Sequence, residues 1–340
     1  MRLKFIPLLM FAIIGSALSN CSIKNEVNNP DPAKTIAGSI TPEEAEPTSK
    51  HTETNIPEIQ TTLNETVQEN NEETIAPTFT EPPPEPTATV DNRHLPEEWK
   101  SWPIIPALSP AMIEIYQLGI DLGNNPDAFS KVGDCQIIPE VFLGLYDDVN
   151  YALPENMKQL QETIAHFSGS FAREGFALKG GFVFPTVFSP LRADSSVCDP
   201  GETPLECELR VHQPTFVLIS MEFRYEGRTA EIHEKYLRQA VEYALSRGMI
   251  PIVATKADNF EGDHSLNRMT AQIAYDYDLP LWNYWLAVQF LPGHGVDWER
   301  DSYGFHVTPD AWLVRSQTFL QTLDSLWKEA HEAVEGVNSN

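Results

Sequence analysis

Four short apolar segments alternate with longer segments of helical periodicity, and this alternation restricts the folds open to the chain. We predict strands at residues 128–133, 214–221, 249–255 and 279–284. Uninterrupted apolar runs are typical of strands that are covered on both faces. Helices between successive strands favour a parallel sheet. The pattern therefore predicts an α/β fold, a three-layer α/β/α sandwich with a mainly parallel sheet, whose sites form beyond the carboxyl ends of the strands.

The predicted helices lie at residues 231–247, 266–277 and 311–330. Apolar residues recur in them at helical spacing, which is typical of helices that cover one face of a sheet. Gly248 follows the first of these helices and is a natural end for it.

The region before the domain has a different composition. Pro, Thr, Glu and Asn dominate residues 22–98, which bury too little apolar surface to balance the entropy of ordering. We predict a disordered acidic linker here and a single domain over residues 99–335. The net charge of −26 disfavours nucleic acid and anionic lipid head groups as partners, although it also has a plain role in solubility.

The first residues are typical of an export signal. Arg2 and Lys4 precede an apolar stretch at 5–18, which is shorter than a membrane-spanning helix requires. The following tetrapeptide resembles the lipobox of bacterial lipoproteins, with Cys21 as the lipidated residue and Asn20 where Gly or Ala is usual. We predict a lipid anchor in the cell membrane on its extracytoplasmic face. A cleaved signal with an unrelated cysteine is the alternative, and it also places the protein outside the cytoplasm.

Polar motifs follow the predicted strands and recur late in the chain. Gly133-Asp134-Cys135 follows the first strand, residues 222–224 follow the second, and Gly304-Phe305-His306 stands before the last helix. In order and spacing these motifs resemble the SGNH, or GDSL-type, hydrolases over residues 128–327. That family consists of esterases and acylhydrolases on a flavodoxin-like α/β/α sandwich, so the resemblance implies this fold and an activity on ester bonds.

The resemblance implies a role for several residues. Cys135 stands after Asp134 where the family usually has its nucleophilic serine, and His306 matches the catalytic histidine. Gly180 or Gly181 would supply the backbone amide that helps to hold the oxyanion. Arg224 falls on or near the position of the oxyanion-binding asparagine.

Two departures bear on the chemistry. The aspartate that the family has three residues before its histidine is Tyr303 here, and Asp301 is the nearby carboxylate that would orient His306 instead. A thiol at position 135 loses its proton more easily than a hydroxyl and needs less help from a base. Arg224 would hold an oxyanion or a ground-state carboxylate equally well.

Two hypotheses from different classes follow. Cys135 and His306 favour an extracytoplasmic hydrolase of acyl or acetyl esters, whereas Arg224 and Tyr303 favour an inactive domain that binds a glycan or another envelope ligand. Cys135 and His306 also have purely structural interpretations, since a cysteine after a strand is often a packed core residue and a histidine often caps a turn. We predict no cofactor.

The other chemistry-bearing residues give narrower predictions. Cys198 and Cys207 remain once Cys21 and Cys135 are assigned, and in an oxidising exterior we expect them to form a disulfide. Loops at 261–264 and 292–297 hold metal-capable side chains without a recognised ligand spacing, so we predict no metal site. The aromatic residues near the end of the chain are expected to be part core and part cleft wall, where they would suit a sugar ring: Trp282, Tyr284, Trp285 and Trp298.

Overall fold

The computed structural model describes residue 91 and residues 93–222, 229–302 and 304–338. The predicted signal segment, Cys21 and nearly all of the predicted linker lie outside these residues. None of the helices in this part of the chain has the length and apolar character needed to cross a membrane.

A parallel sheet forms the centre of the domain. Its strands are β1 (Asn125–Gly133), β2 (Pro214–Ser220), β3 (Ile250–Ala254) and β4 (Leu281–Trp282). They pair in the order β1-β2-β3-β4, and every pairing is parallel. An isolated parallel bridge between Gly133 and Leu178 adds a further chain segment on the free side of β1. That segment occupies the place of the second strand in a flavodoxin-like sheet.

Helices cover both faces of the sheet. In chain order they are α1 (Pro110–Asp121), α2 (Gln161–His166), α3 (Phe184–Val187), α4 (Pro204–His212), α5 (Ala230–Leu245), α6 (Ser265–Tyr277), α7 (Tyr284–Ala287) and α8 (Pro309–Asn338). Helices α1, α2 and α7 pack with α8, whereas α5 packs with α3 and α6. The predicted three-layer α/β/α sandwich is therefore confirmed. Short 3-10 helices lie at Pro96–Ser101, Gly144–Asp147, Glu155–Leu160, Pro190–Arg192 and Pro292–Gly295.

Buried aromatic and aliphatic residues join the layers. Phe129 of β1 lies edge-on to Phe167 and Phe171, at ring-centroid distances of 5.7 and 5.2 Å. Every residue of β2 is buried, which agrees with its continuous apolar sequence. Trp282 and Tyr284 are fully buried, so these two of the four singled-out aromatics belong to the core.

Helix α4 begins with a capping box and carries one end of a disulfide. The Thr203 hydroxyl accepts from the Glu206 amide at 3.2 Å, and the Glu206 carboxylate accepts from the Thr203 amide at 2.7 Å. Cys207, one turn into the helix, is bonded to Cys198. This confirms the predicted disulfide.

We expect the double variant Cys198→Ser/Cys207→Ser to lower the free energy of unfolding by about 2–4 kcal/mol, because the bond closes a loop with a sequence separation of 9 residues. Urea denaturation monitored by circular dichroism measures this change. Ser196→Ala, in the same loop, is the control and should alter stability by less than about 1 kcal/mol. A double variant as stable as the wild type would show that the unfolded chain gains little freedom when the loop is opened.

Candidate functional site

The loops that follow β1 and β2 meet the loop that precedes α8. The side-chain amide of Gln136 donates to the backbone carbonyl of Phe305 at 2.6 Å. Cys135 and His306 are the chain neighbours of these two residues, so the predicted nucleophile and base belong to adjoining backbone segments. The site lies at the carboxyl end of the sheet, where the fold class places ligands.

His306 forms a hydrogen bond with Asp301. Its Nδ1 lies 2.5 Å from an Asp301 carboxylate oxygen, and both side chains are largely buried. The same carboxylate accepts from the backbone amides of Phe305 and His306, at 3.0 and 3.1 Å. Because an ionised carboxylate can only accept, Nδ1 must carry the hydrogen, and in a neutral ring Nε2 is then the basic nitrogen.

The Nε2 atom of His306 is buried and has no hydrogen-bond partner among the described residues. Burial lowers the pKa of His306 below its ordinary value, although the hydrogen bond that its Nδ1 donates to Asp301 opposes this effect. A neutral imidazole with a fixed tautomer and an unused acceptor nitrogen is equipped to take up a proton.

Cys135 is buried at the start of the loop after β1. It is disulfide-bonded, and its partner lies outside the described residues. A sulfur in this state cannot act as a thiolate until the bond is reduced. The nucleophilic role of Cys135 therefore stays a prediction.

Asp134 holds two loops of the site together. One of its carboxylate oxygens accepts from the Gln136 amide at 2.9 Å, and the other accepts from the Glu222 amide at 2.7 Å. The side chain is fully buried, and its negative charge favours protonation of His306 by raising the pKa of the imidazole. Asp134 is thus placed to shape the loop that carries Cys135.

Gly180 and Gly181 lie in the turn that follows the bridge beside β1. The backbone amide of Lys179 donates to the carbonyl of Gly133 at 3.4 Å, so the turn begins next to the end of this strand. Gly181 has a φ of +82°, which glycine adopts without strain. Both glycines line a cleft of about 960 Å³, whose charged lining side chains are Glu140, Glu174, Lys179, Arg192 and Asp194.

Arg224 and Tyr303 lie outside the described residues. The prediction that Arg224 binds an oxyanion or a carboxylate, and the significance of Tyr303, are left as predictions from the sequence.

Sequence reasoning missed a buried ion pair that contacts the loop after β2. Arg315 of α8 is completely buried and donates to the carboxylate of Glu222 and to the Ser220 hydroxyl. Its guanidinium carbon lies 4.5 Å from the centroid of the Tyr284 ring. One signal was available in the sequence, because Arg315 interrupts the apolar face formed by Ala311 and Phe319 one turn away on either side.

A second buried cluster follows β3. The ammonium group of Lys256 lies 2.5 Å from Asp258 and 2.6 Å from Glu261. Burial raises the pKa of the Asp258 carboxyl, and the Lys256 charge opposes this effect. Among the described residues, the one group of side chains close enough to share a metal ion is Cys198, Glu202 and Cys207, and the disulfide occupies both of its sulfurs. The predicted absence of a metal or cofactor stays a prediction.

No family model matches the chain, and no curated protein matches it in sequence.

Proposed function

We propose that the domain is an ester hydrolase, acting on acyl or acetyl esters, in which His306 and Asp301 form the base. The observation that carries the proposal is the 2.5 Å contact between these side chains at the carboxyl end of the sheet, with Nε2 of His306 left without a hydrogen-bond partner in the part of the chain that the structure describes. A buried nitrogen without a partner costs about 1–3 kcal/mol. A substrate or a nucleophile that donates a hydrogen bond to Nε2 would remove this cost.

The residues suggest a sequence of steps. Nε2 of His306 takes the proton of the attacking group, and Asp301 stabilises the imidazolium that results. The backbone amides of the Gly180–Gly181 turn are the candidate donors to the oxyanion. As the tetrahedral intermediate collapses, the ester carbon–oxygen bond breaks and His306 returns the proton to the leaving alcohol. If the attacking group is the reduced Cys135 thiol, its sulfur keeps the acyl group as a thioester, and a water molecule that gives its proton to His306 then attacks this thioester and releases the acid and the thiol. If the attacking group is water, the acid is released directly when the intermediate collapses.

The proposal is tested by the pH dependence of hydrolysis of short-chain and acetyl esters. Because His306 must be neutral to act as a base, kcat/KM should rise with pH and level off above the pKa of the imidazole. Burial lowers this pKa, so the midpoint should lie below 6.5. No turnover at any pH, with and without a thiol reductant, would contradict the proposal.

We propose that the chain is an exported lipoprotein with its lipid on Cys21, so that the domain lies on the extracytoplasmic face of the cell membrane. The lipobox-like tetrapeptide supports this location. Cys21→Ala should release the protein from the membrane fraction. If the variant stays in the membrane pellet as the wild type does, the anchor is wrong.

The assignment of the four cysteines relates the proposed lipid anchor to the proposed hydrolysis. Lipidation would use the sulfur of Cys21, and Cys198 is bonded to Cys207, so three of the four cysteines of the chain would be assigned. Because Cys135 is disulfide-bonded in the structure, we expect alkylation to modify it only after reduction, with loss of the modification in Cys135→Ser. If mass mapping finds Cys135 in a disulfide in the anchored protein, Cys135 is not the nucleophile. His306 would then have to activate water.

One observation favours a second function, a domain that binds an ester or glycan without cleaving it. Cys135 is disulfide-bonded, and this state holds no thiolate. In that case the cleft beside Gly180 and Gly181 would bind the ligand. Binding of an acetylated oligosaccharide, measured by calorimetry, together with the absence of turnover in the pH series, would support this function over hydrolysis.

A further inference from the structure

Trp298 differs from every other tryptophan of the domain in its exposure. Its residue surface is 60% exposed, whereas Trp282 is fully buried and Trp285 is half-buried. The chain has seven tryptophans, all within the described residues, and the remaining four are at most 9% exposed. An indole that is left in water gives up the free energy of its own burial. Its exposure leaves part of the indole surface open to contact by a ligand.

Trp298 lies beside the base of the proposed reaction. Its neighbour Asp297 donates its backbone amide to the carbonyl of His306 at 2.8 Å. Val296 and Val307 form an antiparallel bridge, so the two chain segments that contain Trp298 and His306 run side by side. The segment that carries the indole therefore adjoins the segment that carries His306.

Two glycines hold the indole in place. A Cβ atom at Gly304 would lie 2.6, 2.7 and 3.0 Å from three adjacent atoms of the six-membered ring, so the Gly304 backbone lies against it. A Cβ atom at Gly293 would lie 3.7 and 3.9 Å from two atoms of the five-membered ring. The distances at Gly304 are those of an approach to the ring face rather than to its edge, where the flanking atoms would be much farther than the central one. The Gly304 backbone thus lies against one ring face, while 60% of the residue surface remains exposed.

We infer that Trp298 is a stacking platform for a sugar ring of the ester substrate, an inference that rests on the proposed hydrolase function. A pyranose presents a flat face of C–H groups, and such faces stack on aromatic rings. The ring is already fixed in place, so little conformational entropy is lost when a sugar binds to it. The substrate class is accordingly an O-acylated or O-acetylated glycan rather than a simple lipid ester.

The surroundings of Trp298 fit a sugar better than an alkyl chain. Asp297, Glu299 and Arg300 are its close neighbours along the chain, and their polar groups suit the hydroxyl rim of a sugar. A fatty acyl chain instead requires an enclosed apolar groove. The exposed ring of Trp298 in a charged segment provides no such enclosure.

The inference is tested with Trp298→Ala and Trp298→Phe on two esters, an acetylated xylo-oligosaccharide and ethyl acetate. Trp298→Ala should lower kcat/KM for the oligosaccharide roughly tenfold through a higher KM, and Trp298→Phe should restore most of the loss. Ethyl acetate has no ring to stack, so its kcat/KM should stay unchanged. Leu122→Ala is the matched control, an exposed apolar residue just after α1 that should change neither substrate. Equal losses on both esters, or no loss on the oligosaccharide, would overturn the inference.

A binding measurement separates this inference from the proposed function. His306→Ala, titrated with deacetylated xylo-oligosaccharide by calorimetry, requires no turnover. Binding that weakens roughly tenfold in His306→Ala/Trp298→Ala supports the platform even if no ester is ever hydrolysed. Hydrolysis of ethyl acetate without any binding of the oligosaccharide refutes the platform and leaves the hydrolase proposal intact.

Discussion

Replacing His306 by alanine is expected to lower kcat/KM for ester hydrolysis by roughly 10²- to 10⁴-fold, which is the usual contribution of a positioned general base. The imidazole contributes through Nε2, since Nδ1 is engaged by Asp301 at 2.5 Å. Hydrolysis of an acetyl ester by the purified protein measures the loss. Unchanged rates in His306→Ala would remove the base from the proposal.

Asp301→Asn tests the second member of the pair. The asparagine keeps the size of the side chain but removes the negative charge that stabilises the imidazolium, so kcat should fall. Asp301 also raises the pKa of His306, through a hydrogen bond and through its charge. Its removal should therefore move the midpoint of the pH profile to a lower pH. A merely structural aspartate would change the amount of folded protein without moving this midpoint.

Asp297→Asn is the matched control for that experiment. Asp297 lies in the same loop and accepts from the backbone amide of Arg300 at 3.1 Å, but no described hydrogen bond joins its carboxylate to His306. Its substitution should leave the midpoint where it is in the wild type. A shift in both variants would show that the profile follows loop geometry rather than the charge of Asp301.

The sequence predicted the layers of the fold better than the limits of its elements. The four strands were expected in the places where the sheet has them, because uninterrupted apolar runs report burial on both faces. Strand β1 nevertheless begins at Asn125, before the expected start at 128, since its exposed first residues carry no apolar signal. Strand β4 covers only Leu281–Trp282. The other residues of the predicted strand lie outside it, and their apolar character reflects packing in the core rather than strand structure.

The site was predictable where the chemistry is local in the chain. The carboxylate that contacts His306 stands five residues before it rather than three, and Asp301 was named as the candidate. A turn brings Asp301 and His306 together at this spacing, because the carboxylate also accepts from two backbone amides in it. The side-chain types alone do not reveal this geometry. The partnership of Glu222 with Arg315 spans 93 positions of the chain. It depends on the way α8 lies against the sheet, which sequence periodicity does not determine.

Arg315→Met is expected to lower the free energy of unfolding by about 3–5 kcal/mol, because it leaves the Glu222 carboxylate buried without its cation. The side chains of Arg315 and Glu222 are 0% and 3% exposed, so water cannot replace the lost partner. Glu222→Gln should lower the free energy of unfolding by a comparable amount, since it leaves the buried guanidinium of Arg315 without its anion. Urea denaturation of the domain measures both changes.

The double variant Arg315→Met/Glu222→Gln decides how the loss arises. If the cost of each single variant is the penalty for an uncompensated charge, then removing both charges should be less destabilising than the sum of the single changes, with a coupling energy of roughly 1–3 kcal/mol. The exposed pair Lys158 and Glu155, with side chains 62% and 86% exposed, is the control, and its neutralisation should cost less than about 1 kcal/mol. Strict additivity in the buried pair would mean that each residue acts through its own packing, as Arg315 does against the Tyr284 ring, and not through their mutual charge. Because the Glu222 amide also binds Asp134, destabilisation through charge should loosen the loop that carries Cys135 as well.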